Sequence, residues 1–178
     1  MANAHAAALK SMNLCRTLSS AEVDAIAAIA ETREVAAGRE LFREGEPGDG
    51  LFLVVSGEID IVKQAAGSTR SLAHLGEGAI LGEISLLTSE ARSATGRALV
   101  DTRVLHLPMP AFRALLADGS TAALKMVAAI AEVLSRRLAT MNVKVIELAG
   151  KLEGGAAAEG AKEKELADLH RAMHVWSF

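Results

Sequence analysis

From Leu14 to Ile29 apolar residues recur at the three- and four-residue spacing of an amphipathic helix, and SSAE opens that stretch as a capping box, with Ser19 as N-cap and Glu22 reaching back. The pattern changes at Glu34. From there to Leu107 the chain reads as short strands, LFREG, LFLVVSGEIDIVKQ, SLAHLGEGAI, SATGRALV and TRVLHLP, broken by glycine-bearing turns. Short strands punctuated this evenly predict a sandwich, a barrel or a jelly roll. From Pro110 the spacing turns helical again: PAFRALLADG starts on a proline and stops at Gly119, and a long helix follows from about Thr121 to Ala149. The expected fold is mainly β with flanking helices, one before the β-region and two after it.

The long helix carries a stripe. Val127, Ala131, Leu134, Leu138, Met141, Val145, Leu148 and Leu152 alternate steps of four and three, so one heptad seam is apolar throughout. That predicts a homodimer joined through the 121–152 helix. The alternative is a helix packed only on its own β-roll, which Met126, Ile130 and Val133 favour by broadening the apolar face in its first half. Beyond Leu138 the face narrows to the seam alone. GKLEGGAAAEGAKE then lacks large apolar residues and reads as a flexible linker over 150–162. In 163–178, Leu166, Leu169, Met173 and Trp176 share one face of a short amphipathic helix that is marginal alone, either a docking peptide or a frayed tail. His170 and His174 lie four apart there with no third ligand nearby, so they read as solvated histidines. The predicted organisation is an N-terminal extension over 1–12, one domain over 13–149 that includes the long helix, the linker, and the terminal helix.

Composition narrows the function classes. A chain of 178 residues, 51% hydrophobic, can bury a core without disulfides or metals, and its single cysteine, Cys15, cannot form an internal bridge. No apolar stretch approaches the roughly 20 residues a membrane span needs, and MANAHAAALKSMNLC has neither a basic leader nor a sustained apolar run. The expectation is a cytoplasmic protein with no membrane partner. Lysine and arginine number 19 against 22 aspartates and glutamates, for a net charge of -3, which argues against a nucleic-acid partner.

Candidate chemistry concentrates in LGEISLLTSEARSAT, where Glu83 and Arg92 stand within an apolar run. A charge buried without a partner costs several kcal/mol or more, so each needs one. One solution is a Glu83–Arg92 ion pair closing the loop. The other is a ligand: EISLL can form a helical turn after Gly82 whose first N–H groups bind an anion, Arg92 offers a bidentate fork for phosphate, and Glu83 can accept from a sugar hydroxyl. On this stretch alone both stay open. GEPGDG is not followed by Gly-Lys-Ser/Thr, so it reads as a hairpin turn and not as a nucleotide P-loop.

GEISLLTSEARSA resembles the phosphate-binding cassette of the cyclic nucleotide-binding domain family, with its Gly-Glu-aliphatic-small-Leu run and a later Arg and small residue before Ala94. REGEPGDGLFLVVSGEIDI resembles the family's earlier signature, with Gly45, Gly48 and Gly57 at its strand turns, and LSSAEVDAIA resembles its opening helix. The resemblance covers about residues 14 to 149. It implies a β jelly roll in which Glu83 binds a ribose 2'-hydroxyl, Arg92 pairs with a cyclic phosphate, and the backbone of Gly82, Ile84 and Ser85 lines the phosphate turn. Ser93 matches the small polar residue of bacterial catabolite-activator members and leans towards cyclic AMP, with cyclic GMP the alternative. RRLATMN is similar to those members' dimer helix, whose polar residues reach the purine, which implies Thr140 and Asn142 around an apolar Met141. Those members continue into a helix-turn-helix; here a linker and one short helix follow, so direct DNA binding is not expected. With no residues to hydrolyse the ligand, the expectation is a receptor and not an enzyme, signalling through a protein effector via its C-terminal helix. A ligand-free interaction protein on the same fold, and the regulatory subunit of a separate enzyme, are the alternatives.

Overall fold

A computed structural model describes residues 2–65, 68–88 and 90–154 of the chain. Helix α1 (Ala2–Ser11) and a 3-10 turn (Asn13–Cys15) precede α2 (Ser20–Ile29). The strands are β1 (Glu31–Val35), β2 (Glu40–Phe42), β3 (Gly50–Ser56), β4 (Ile59–Ala65), β5 (Ser68–Leu75), β6 (Ile80–Leu81), β7 (Thr95–Ala98) and β8 (Thr102–Pro108). Helix α3 (Glu83–Thr88) lies between β6 and β7, and α4 (Met109–Ala117) and α5 (Thr121–Gly154) follow β8. Two antiparallel four-stranded sheets, ordered β1-β8-β3-β6 and β2-β7-β4-β5, face each other as a jelly roll, one of the three architectures the strand pattern predicts and the one the family resemblance implies.

β3 shows why the pattern took this form. Its run GLFLVVS is buried from Gly50 through Val54 with no polar alternation, because both faces of the strand are covered. Phe52 and Val54 enter the core between the sheets with Ile61, Leu81, Ala94 and Val104. Leu51 and Leu53 enter a second core with Ile26 of α2, Phe112 of α4 and Met126 and Ile130 of α5. The first sheet is therefore the middle layer of the molecule, with the second sheet on one side and the helices on the other.

The helices begin where their caps dictate. At α2 the Glu22 amide donates to Ser19 Oγ at 3.4 Å and the Ser19 amide to the Glu22 carboxylate at 2.7 Å, the expected capping box. The helix therefore starts at Ser20, and Leu14 and Cys15 are buried from the separate 3-10 turn. Helix α1, within the extension over 1–12, is held by buried Ala6 and Leu9, and Met12 is buried just beyond its end. Pro110 sits in the first turn of α4, and Gly119, at φ +70°, follows its end. At 34 residues α5 is about 51 Å long, and it continues past Ala149 through Gly154, into the segment that reads as linker. The rest of that linker and the 163–178 helix, with Leu166, Leu169, His170, Met173, His174 and Trp176, lie outside the described residues.

One expectation is corrected. GEPGDG is not a hairpin turn, because β2 pairs with β7 while β3 pairs with β6 and β8. The glycines carry the chain across from one sheet to the other, and that crossing forms a wall of the site.

Candidate functional site

The site is assembled where the β2–β3 crossing, α3 and the 90–94 loop meet. Two glycines make the approach possible. Gly82 has φ +80°, and a Cβ there would lie 2.0 Å from Arg92 Nη1 and 2.8 Å from the Gly50 carbonyl. A Cβ on Gly48 would lie 2.3 Å from that of Ser85, so the crossing rests directly on α3. The Arg92 amide donates to the Glu46 carbonyl at 2.8 Å and the Gly45 amide to the Arg92 carbonyl at 2.7 Å, which ties the loop to the crossing.

These constraints drive the Arg92 side chain inward, where it is only 3% exposed. Its guanidinium lies over the rings of Phe42 and Phe52, 4.7 and 5.2 Å from their centroids. Nη2 donates to Asp49 Oδ1 at 2.8 Å and to the Gly50 carbonyl at 2.9 Å. Nε and Nη1 are buried without a partner. Burial lowers the Arg92 pKa while Asp49 and Glu83 support its charge. Burial pushes the Asp49 carboxyl up, but His106, Arg92 and Arg33 together hold it below the usual carboxylate range.

Glu83, the first residue of α3, is 1% exposed. It does not pair with Arg92; Oε1 accepts from Arg137 Nη1 of α5 at 2.6 Å, and Oε2 has no partner. Burial raises its carboxyl to about 7, against the pull of Arg137 and, more weakly, Arg92. The loop-closing ion pair is thus replaced by two pairs that cross between elements, Arg92–Asp49 and Glu83–Arg137.

The remaining sequence candidates divide. Ile84 and Ser85 follow Glu83 in the first turn of α3, where helix N–H groups lack intrahelical partners. Ser93 Oγ is buried and unpartnered, and Ala94 is packed in the inter-sheet core. Thr140 and Asn142 are exposed on α5, and the Thr140 hydroxyl donates back to the Arg136 carbonyl at 3.0 Å. From that helix it is Arg137 that reaches the cassette. Arg137 and Asp49, neither of them among the sequence candidates, stand in RRLATMN and GEPGDG. The usable signal was the charge rule itself: a glutamate and an arginine bound for an apolar wall each demand an opposite charge.

Chemically, two unpartnered guanidinium donors and a buried serine hydroxyl suit an anion with several oxygens, and the free Glu83 Oε2 suits a hydroxyl donor. Among the described residues no group of three or more His, Cys, Asp or Glu side chains could hold a metal ion.

An anion cradle beside a hydroxyl acceptor, at the head of a short helix inside a jelly roll, suits a phosphate joined to a hydroxyl-bearing group. The chain belongs to the cyclic nucleotide-binding domain family, which it matches over residues 32–118. It is 36% identical over 100 residues to the cyclic AMP receptor protein of Thermus thermophilus, an overlap of 56% of this chain and 46% of that protein. The crystal structure of a cyclic nucleotide-binding domain from Methylobacillus flagellatus superposes with a TM-score of 0.69 at 26% identity, covering 78% of this chain and 79% of that one. A cyclic nucleotide-binding-like protein from Brucella abortus is 30% identical with a TM-score of 0.55, covering 64% of this chain and 97% of that one. The chain spans less than half the length of the Thermus protein.

Proposed function

We propose that the chain is a cyclic nucleotide receptor, for cyclic AMP before cyclic GMP, that works by binding and not by catalysis. The observation that carries this reading is the set of buried, unpartnered polar atoms in one place: Arg92 Nε and Nη1, Ser93 Oγ and Glu83 Oε2. Leaving a buried donor or acceptor unmade costs about 1–3 kcal/mol each, so a ligand that satisfies all four binds with their combined relief. A cyclic phosphate accepts from Arg92 and from the amides of Gly82, Ile84 and Ser85, and the ribose 2'-hydroxyl donates to Glu83. Ser93 contributes to the phosphate or the base, Ala94 closes the cassette, and the purine lies towards α5, with Thr140 and Asn142 the polar groups for it.

Signalling follows from the partners these residues have without ligand. A ribose on Glu83 Oε2 shares the carboxylate with Arg137, which is held on Oε1, and Arg137 belongs to the helix that leads to the chain's C-terminal segment. Ligand capture therefore repositions α5 through differential affinity for its two placements. The receptor acts as a cytoplasmic homodimer joined through α5 and passes its state to a protein effector through the 163–178 segment. No single helix among the described residues is long and apolar enough to cross a membrane.

Calorimetric titration with cyclic AMP, cyclic GMP and a cyclic dinucleotide tests the reading. The tightest binding is expected for cyclic AMP; a protein that binds none of the three is an interaction module on this fold, and the proposal fails.

A further inference from the structure

The carboxylate that occupies Arg92 is itself held from behind. Asp49 Oδ2 accepts from Arg33 Nη1 of β1 at 3.2 Å and faces His106 Nε2 of β8 at 3.5 Å. His106 is 2% exposed, stacks on Phe52 with centroids 4.8 Å apart, and backs onto Gly50, where a Cβ would come within 2.5 Å of its Nε2. Arg33 Nη2 lies 2.8 Å from His106 Nδ1. A guanidinium only donates, so Nδ1 is the acceptor, the ring is neutral, and its proton sits on Nε2, which is buried without a hydrogen bond and lies 3.5 Å from Asp49 Oδ2.

The groups facing the ring are Arg33 and Glu31 from β1, Asp49 from the crossing, and Arg92 beyond Asp49, with Glu31 Oε2 3.4 Å from Nδ1. Asp49 thus stands between Arg33 and Arg92, and Glu31, 4.0 Å from Arg33, is the fourth charge, so two negative charges face two positive ones. With Arg33 in place the Asp49 carboxylate is shared between two cations. Without it, Asp49 turns wholly to Arg92.

We propose that Arg33 and His106 are positioning residues for phosphate recognition: by drawing the Asp49 carboxylate back, they set how much of the Arg92 charge and fork a bound phosphate meets. The inference rests on the reading of Arg92 as the phosphate ligand. Burial, and then Arg33, hold the His106 pKa below its ordinary value, so the ring is neutral at pH 7 and gains its proton only under more acid conditions. Once protonated at Nδ1 it no longer accepts from Arg33, turns that N–H to Glu31, and holds Asp49 harder through Nε2. Its contribution to phosphate affinity therefore grows as pH falls.

The test is a titration of the full chain with cyclic AMP at neutral pH in wild type, Arg33→Gln, Asp49→Asn and the double variant. Removing Arg33 is expected to weaken binding about tenfold, the scale of one nearby charge in a partly buried site, and less than about twofold when Asp49 is already Asn. No loss, or the same loss in both backgrounds, overturns the proposal, because Arg33 then acts without Asp49. Wild type that fails to bind the nucleotide at all overturns the receptor reading instead. In His106→Gln, the ratio of wild-type to variant affinity is expected to rise from neutral to acid pH, with the titration of Glu83 common to both and so cancelling. A flat ratio removes His106 from the device. If that buried substitution prevents folding, the Arg33 cycle decides alone, since Arg33 is 38% exposed.

Discussion

At the scale of single residues, the site is a place where charges are buried with less than their full complement of partners. Glu83 pays for this most visibly, with its carboxyl raised to about 7 from an ordinary 4.5 by burial. Between those two values the native state holds a proton that the unfolded state has released, so unfolding free energy falls as pH rises across this window. The effect is on the order of 3 kcal/mol, present in full below the ordinary carboxyl value and lost by the time pH passes 7. Glu83→Gln cannot titrate, so in denaturant unfolding the wild type is expected to lose stability relative to this variant from about pH 4.5 to 7. A difference that stays constant with pH would contradict the burial account. Glu83 and Arg92 were legible because they interrupt an apolar run. Asp49 and Arg137 were not, since each arrives from a segment whose direction depends on tertiary packing.

Among the elements, the signals that read correctly are local ones. The Ser19–Glu22 box and Pro110 with Gly119 mark helix ends through bonds and dihedrals inside a few residues. The GEPGDG crossing misled because glycines report that the chain turns, not which sheet the next strand joins. β1 begins at Glu31, ahead of the point where the strand pattern becomes visible, because ETREV is a mostly exposed edge strand paired with β8 alone. α1 shows no apolar stripe in the sequence because its buried positions, Ala6 and Leu9, are spread among alanines. The element with most consequence is α5, which is buried at Ala122, Ala123, Met126 and Ile130 and then supplies Arg137 to Glu83. Arg137→Ala leaves that glutamate without its closest cation. The expected result is a Glu83 titration moved upwards from about 7, read as a shift of the pH window in the same unfolding series. An unmoved window would mean that Arg137 does not hold Glu83 in solution.

At the scale of the whole molecule, the long helix divides into a half that belongs to its own core and a half that does not. Beyond Ile130 exposed apolar residues appear on more than one face: Leu138, on the seam, is 53% exposed, whereas Val143 and Ile146, 56% and 71% exposed, lie off it, so the face does not narrow to the seam alone; Leu124, 53% exposed, extends the seam towards the start of the helix. Leu124 and Leu138 are what a second copy would cover in the proposed dimer. Leu138→Glu with Val145→Glu would set like charges across the seam and is expected to give monomers in sedimentation equilibrium, against dimers for the wild type. A wild type that sediments as a monomer at tens of micromolar would end the dimer proposal and leave the site untouched.

In the proposed receptor the buried guanidinium of Arg92 meets a cyclic phosphate, and one calorimetric comparison decides whether it does. Cyclic AMP is titrated into the wild type and into Arg92→Ala at the same pH and salt, after thermal unfolding has confirmed that both are folded. A desolvated phosphate that loses its charged fork is expected to bind weaker by about 2 kcal/mol or more, roughly thirtyfold. Equal affinity in the two proteins would contradict the account, because the ligand would then be held by something other than Arg92.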